Sequence, residues 1–220
     1  MEHRKIAIRE TAVGTLEEIT ILRIDPEWFS FDVTYDPQGK DLEAWQSASG
    51  AAVVVNGGYF QRADDTFLPA GLIVVGGKAM GDSYGSFAGM LAIRNDGPEL
   101  RWLKTKPYDS QEPLTAALQS FPILIKPGGL IGFPQESEDN ITARRTVVGQ
   151  DRNGKMVFLV ASLGYFTLRQ LSMYLYESDL ELDIAMNLDG GPSTGILIND
   201  PHEIIPAQTI LPIVVVVFPK

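Results

Sequence analysis

The stretch DIAMNLDGGPSTGILI, residues 183–198, places one carboxylate, Asp189, at the mouth of an apolar run, followed by Gly190-Gly191, a proline and two hydroxyl residues. Two other segments share the design. VVVNGGYF (53–60) ends an apolar run in Asn56-Gly57-Gly58, and ARRTVVG (143–149) opens one with Arg144, Arg145 and Thr146. Glycine at a strand end lets a ligand approach the backbone and exposes N–H donors. Polar groups converging on the ends of rigid strands make a binding site. One such segment reads as an ordinary turn; three together read as a site.

Other motifs compete for the chemistry. Gly81-Asp82-Ser83-Tyr84-Gly85 and Gly191-Pro192-Ser193-Thr194-Gly195 both match the GxSxG pattern of serine hydrolases, with His202 downstream and Asp189 or Asp200 as conceivable partners. A nucleophile elbow needs a strand before the serine and a helix after it. Both serines are followed by strand-like sequence, which argues against them. Gly76-Gly77-Lys78 lacks the spacing and the helix of a P-loop. With only His3 and His202, an imidazole-rich metal site is not expected. No cofactor is called for; a carboxylate–carbonyl site for calcium or magnesium at Asp189 and Asn187 is the one metal alternative.

The elements that must position these corners are mostly short strands. Alternating apolar residues in IAIRETAV, EEITILRID and WFSFDVTYD read as strands, and Ala51–Val55 as a buried strand ending at Asn56. Hairpin turns are expected at Gly76-Gly77, at Asn95-Asp96-Gly97 and at Asn153-Gly154. Asp41 opens a short helix that Gly50 stops, and Thr167 with Gln170 forms a capping box for a second helix carrying Leu168, Leu171 and Leu175. Residues 104–120 read as a loop with a short helix, and 137–142 as a polar loop. Many strands and few helices, out of regular alternation, predict an α+β fold with a mixed, mostly antiparallel sheet in one domain over residues 1–220.

Composition sets outer bounds. The 220 residues are 45% hydrophobic and 21% charged, enough apolar material for a packed core. A net charge of −10 repels phosphate backbones, so nucleic acid is not an expected partner. There is no cysteine, which excludes disulfides, thiolate chemistry and Cys-based zinc sites. Ile210–Pro219 is the longest apolar run, too short to span a membrane and rich in valine, so it reads as a buried strand. The start, MEHRK, lacks the apolar core of a signal peptide. Asn140-Ile141-Thr142 fits a glycosylation sequon, a triplet that is common by chance.

NGGYF, SFPILIKPGG, RRTVVGQDRNGKMVFLVA, GYFTL at the capped helix and AMNLDGGPST occur in this order over residues 56–194. The ordered set resembles the phosphodiester glycosidase family, whose known activity removes N-acetylglucosamine from its α-phosphodiester link to mannose 6-phosphate. Two positions depart from the family pattern: Tyr59 stands where phenylalanine is common, and Pro192 where a third glycine is usual.

The resemblance implies a hydrolase that cleaves a glycosyl phosphodiester or related carbohydrate linkage. Its phosphate leaving group is a stable anion, so strong acid assistance is unnecessary. The demand is for a carboxylate at the anomeric carbon and donors on the phosphate. Asp189 is the matching carboxylate, as nucleophile or as base for water. Arg145 is the matching phosphate clamp, since guanidinium presents a planar fork to phosphate oxygens. Arg144 lies one residue away and so on the opposite face of a strand. Asn56 and Asn187 would hold sugar hydroxyls or orient Asp189. The amides of Gly57, Gly58, Gly190 and Gly191 would bind phosphate or a hydroxyl, with the glycines clearing room for a sugar ring, and Ser193 and Thr146 would support them. Asp64, Asp65, Asp200 and Glu203 are available as a second carboxylate, and nothing singles one out. The expected partner is a small-molecule or oligosaccharide phosphodiester. A bacterial, exported protein is the favoured setting. A non-catalytic carbohydrate- or cell-envelope-polymer-binding domain on the same scaffold is the alternative.

Overall fold

The computed structural model describes every residue except Thr11 and Val13. Three antiparallel sheets surround one core, with a small hairpin, Phe60–Ala63 and Thr66–Pro69, beside them. The largest has seven strands in the order Glu2–Glu10, Gly14–Ile24, Met156–Ala161, Arg145–Asp151, Leu182–Asn187, Ile123–Lys126 and Leu130–Ile131. A five-stranded sheet runs Glu203–Ile205, Ile196–Ile198, Val53–Asn56, Leu211–Pro219 and Phe29–Lys40. The other five-stranded sheet runs Gly97–Trp102, Gly89–Arg94, Ala116–Ser120, Ile73–Val75 and Lys78–Met80. The α+β expectation holds, and every strand pairing among the described residues is antiparallel.

The valine-rich strands are buried on both faces, which is why they read as continuous apolar runs. Side chains alternate between faces. Val53, Val55, Val215 and Val217 enter the central core, where they join Leu22, Phe158, Val148 and Met186 of the large sheet and Leu91 and Leu118 of the third. Val54, Val214 and Val216 face the other way, onto Leu42 and Trp45 of helix α1 (Leu42–Ser49). Val147 and Leu159 likewise turn outward, onto Leu171 and Leu175 of helix α2 (Leu168–Glu177).

Local signals set the helix ends. Asp41 accepts the Ala44 N–H at 2.7 Å, and Gly50 closes α1 in the left-handed region at φ 69°. Thr167 and Gln170 form the reciprocal capping box of α2. The hairpins at Gly76-Gly77, Asn95-Asp96 and Asn153-Gly154 all form. The stretch 104–120 differs from expectation. It contains no helix, and its end is the strand Ala116–Ser120, clamped between Gly89–Arg94 and Ile73–Val75. Ala116 and Ala117 are fully buried on opposite faces of that central strand, where a small side chain fits.

Candidate active site

The antiparallel register brings the three polar corners together. Val147 pairs with Asn187, so the start of Arg145–Asp151 and the end of Leu182–Asn187 lie at the same end of the large sheet. From there residues 188–195 cross to the neighbouring sheet, where Ile196 pairs with Val55 next to Asn56. Asp189 therefore sits at a junction between two sheets.

Asn56 ties that junction. It is fully buried. Its Nδ2 donates to the Asp189 carbonyl at 2.8 Å, and its Oδ1 accepts the Thr146 hydroxyl at 2.7 Å and the Gly195 N–H at 3.0 Å. The Asp189 N–H donates to Gly57 O at 3.1 Å, Leu188 N–H to Thr146 O at 2.8 Å, and Gly191 N–H to Arg144 O at 2.8 Å. Asn56 and Thr146 are thus spent on holding the loop and have no face open to a sugar hydroxyl. Asn187 is also fully buried; its amide donates to the Tyr59 hydroxyl at 2.9 Å, and its Oδ1 has no partner among the described residues. Tyr59 in turn donates to Phe121 O at 3.1 Å. Burial, with Asp189 nearby, pushes the Tyr59 hydroxyl up to about 12, so it stays protonated.

The glycines serve the backbone more than a ligand. A Cβ on Gly57 would lie 2.8 Å from Ile213 O, one on Gly58 2.8 Å from Gln119 O, and one on Gly190 2.9 Å from Arg144 O. Only Gly191, at φ 58°, has open space where a side chain would be. The N–H groups of Gly57, Gly190 and Gly191 are engaged by Ile213 O, Asp189 Oδ1 and Arg144 O. Of the four amides, Gly58 alone has no partner within the described residues. Pro192 occupies the first turn of the short 3₁₀ helix Gly191–Ser193, where proline is tolerated. Ser193 is buried beside Asp189.

The two charged groups remain unpaired with each other. Asp189 is partly buried, and its carboxyl is pushed above the ordinary range by burial; the Ser193 hydroxyl and the Gly190 N–H, at 2.9 Å from Oδ1, offset part of the rise. Arg145 is 8% exposed. Its Nε and Nη2 donate to Phe166 O at 3.3 Å and Ile141 O at 2.8 Å, and burial lowers its pKa. Its Nη1 lies 4.0 Å from where a Gly190 Cβ would be, which places the guanidinium against the Asp189 loop. The Tyr59 hydroxyl is within electrostatic reach of both Asp189 and Arg145. Neither forms an ion pair among the described residues.

The rival readings find no support. Ser83 lies in an irregular loop and bonds to Tyr84 O and Gln119, not to an imidazole. Ser193 is followed by a strand, not by the helix an elbow requires. Among the described residues no three His, Cys, Asp or Glu side chains cluster. Calcium takes six to eight oxygens, and Asp189 offers a single carboxylate. Arg144 points away from Asp189 into a separate cavity of about 620 Å³ lined by Lys5, Thr20, Ser162, Glu203 and Gln208. Two acids line it: Glu203, which meets Lys5 Nζ and His3 Nε2 at 2.9 Å each and accepts the Thr20 hydroxyl, and the exposed Glu18. Asp64 and Asp65 sit on an exposed hairpin turn and Asp200 on an exposed loop.

Sequence reasoning missed several residues. Glu17, fully buried, accepts N–H groups of Glu18, Leu163, Gly164 and Tyr165 at 2.6–3.1 Å, and so fixes the segment whose Phe166 carbonyl holds Arg145. Tyr84, Phe87 and Phe121 cluster next to Tyr59. The only local hint was Tyr84-Gly85-Ser86-Phe87, aromatic residues set in small ones.

Residues 49–217 match the model of the phosphodiester glycosidase family. The chain belongs to this family. The phosphodiester glycosidase match thus covers all three polar corners of the site and leaves the N-terminal strands outside it. A bovine relative, N-acetylglucosamine-1-phosphodiester alpha-N-acetylglucosaminidase, is 29% identical over 177 residues, covering 72% of this chain. The chain spans about a third of that relative's length, 33%. The catalytic domain of the zebrafish enzyme of the same name, auto-inhibited by its pro-peptide, shares the fold at TM-score 0.75 and 21% identity, over 100% of this chain and 83% of that one. A Burkholderia pseudomallei protein shares it at TM-score 0.67 and 12% identity, over 92% of this chain and 74% of that one.

Proposed function

We propose that this phosphodiester glycosidase hydrolyses a glycosyl phosphodiester, with Asp189 at the anomeric carbon and Arg145 on the phosphate. One observation carries the assignment. A partly buried carboxylate and a buried guanidinium share one corner, each held by backbone groups and neither in a salt bridge among the described residues, although Asp139 and Glu138 act on Arg145 from farther off. Two such charges serving structure alone would pair, because an unpaired buried charge is destabilising. A substrate with a cationic transition state at one end and a phosphate at the other satisfies both.

In this reaction the bond from C1 to the phosphate oxygen breaks. Its electron pair leaves on the phosphate monoester, whose negative charge Arg145 receives. Water supplies the new C1 hydroxyl. Asp189 either draws a proton from that water or bonds to C1 first and is displaced by water. Inversion at C1 marks the first route and retention the second. Because phosphate leaves as a stable anion, one carboxylate suffices. Asn56, Thr146 and Asn187 act as positioning residues behind it. The name of the bovine relative makes N-acetylglucosamine the first sugar to try.

The test is incubation with UDP-N-acetylglucosamine and with the methyl phosphodiester of α-N-acetylglucosamine 1-phosphate, with sugar release and its anomer followed by proton NMR. Release of free sugar is expected. Saturable binding of these compounds without release would instead establish a carbohydrate-binding domain.

A further inference from the structure

The chemistry above leaves the aromatic cluster unused. Phe121 lies with its ring centroid 4.6 Å from Tyr59, 5.1 Å from Tyr84 and 5.3 Å from Phe87, and Tyr84 lies 5.8 Å from Phe87. Phe87 stands outside the core, and Tyr84 and Phe121 pack on the edge of the cluster formed by Leu72, Met90 and Ala117. Phe87 is 56% exposed, and Tyr84 and Phe121 are partly so. A contiguous apolar surface beside a polar site is the usual lining of a small-molecule cleft.

The cluster is held rigidly. Gln119, buried on the strand Ala116–Ser120, accepts the Tyr84 N–H at 2.7 Å through Oε1 and donates to the Ser83 hydroxyl at 3.0 Å through Nε2. The Tyr84 ring rests on Gly71, where any Cβ would collide with it. The cluster joins the site through Tyr59, whose ring meets Phe121 and whose hydroxyl accepts the Asn187 amide at 2.9 Å, two residues before Asp189.

We propose that Tyr84, Phe87 and Phe121 form the platform for the glycone, the pyranose ring whose anomeric carbon meets Asp189. A pyranose presents one face of C–H groups, which complements the electron-rich face of an aromatic ring. Phe87 is the exposed ring and takes that contact; Tyr84 and Phe121 support it. The inference rests on the proposed reaction only for which ring of the substrate is bound. Sugar binding by the platform is separable from catalysis.

The experiment is a ligand-observed NMR titration of the whole protein with free N-acetylglucosamine, glucose, galactose and mannose, and separately with inorganic phosphate. It is run on the unaltered protein, Phe87→Ala and Phe87→Tyr. At least one sugar should bind through its ring C–H protons. Phe87→Ala should weaken that sugar about tenfold, the size of one well-placed aromatic contact, while phosphate affinity holds within about twofold. Phe87→Tyr should keep the sugar affinity. No sugar binding by the unaltered protein, unchanged affinity in Phe87→Ala, or equal loss of sugar and phosphate binding would overturn the platform. Hydrolysis that persists with an indifferent Phe87→Ala removes the platform and leaves the reaction standing. Sugar binding that depends on Phe87, without hydrolysis, does the reverse.

Discussion

The Arg145 guanidinium lies against the loop that carries Asp189, and the two form no ion pair. For Asp189, burial raises the folded-state pKa above its value in the unfolded chain. Between those two values the native state holds a proton that the unfolded state has lost, so stability falls as pH rises through the window. Asp189→Asn keeps an oxygen acceptor for the Gly190 N–H and removes the charge. Turnover should drop about a thousandfold or more. The melting temperature should match the unaltered protein below the ordinary carboxylate range and exceed it above the raised pKa. The acid limb of kcat/KM should lie above the ordinary carboxylate range, since Asp189 works ionised; paired melts and rates across pH check both. Arg145→Gln should lower kcat/KM about a hundredfold, as for loss of one preorganised donor to a developing anion, and should weaken inhibition by inorganic phosphate. Steady-state rates with and without phosphate test it.

At the scale of elements, the junction between the sheets depends on Asn56. Its amide joins Val53–Asn56, the start of Arg145–Asp151 and the 188–195 loop. Asn56→Ala leaves a buried hydroxyl, an N–H and a carbonyl without partners, at about 1–3 kcal/mol each. The melting temperature should fall by about 10 °C or more, with kcat falling as well, because the Asp189 loop loses its tie. Calorimetry and kinetics on the same preparation measure both. The polar corners were legible in the sequence because each is a local pattern of strand, glycine and polar residue. The capping box at Thr167 and the Asn153-Gly154 turn were legible for the same reason. What stayed hidden depends on distant neighbours. Nothing near Gly57 shows that Ile213 O would press on it, and nothing near Glu17 shows that its carboxylate would collect the amides of residues 163–165. The aromatic platform is invisible for the same cause, since Tyr84 and Phe87 meet Phe121 only once Gln119 anchors their loop.

At the scale of the whole molecule, the candidate site stands on strands that the family match does not include. Leu22, Ile24, Phe31 and Val33 belong to the central core, and Phe29–Lys40 pairs with Leu211–Pro219 along most of its length. Gly14–Ile24 pairs with Met156–Ala161 and carries Glu17. A chain trimmed to residues 49–217 should therefore fail to fold cooperatively: it strips the three N-terminal strands and nearly all of helix α1, and exposes core residues worth about 1.5–3 kcal/mol each. A sharp thermal transition in that fragment would contradict this. The most direct measurement for the account as a whole is hydrolysis of a glycosyl phosphodiester in water labelled with heavy oxygen, followed by mass spectrometry of both products. With Asp189 acting at C1 and Arg145 receiving the phosphate, the label should appear in the sugar and not in the phosphate monoester. Label in the phosphate would mean that water attacks phosphorus, and the assignment of Asp189 to the anomeric carbon would be wrong.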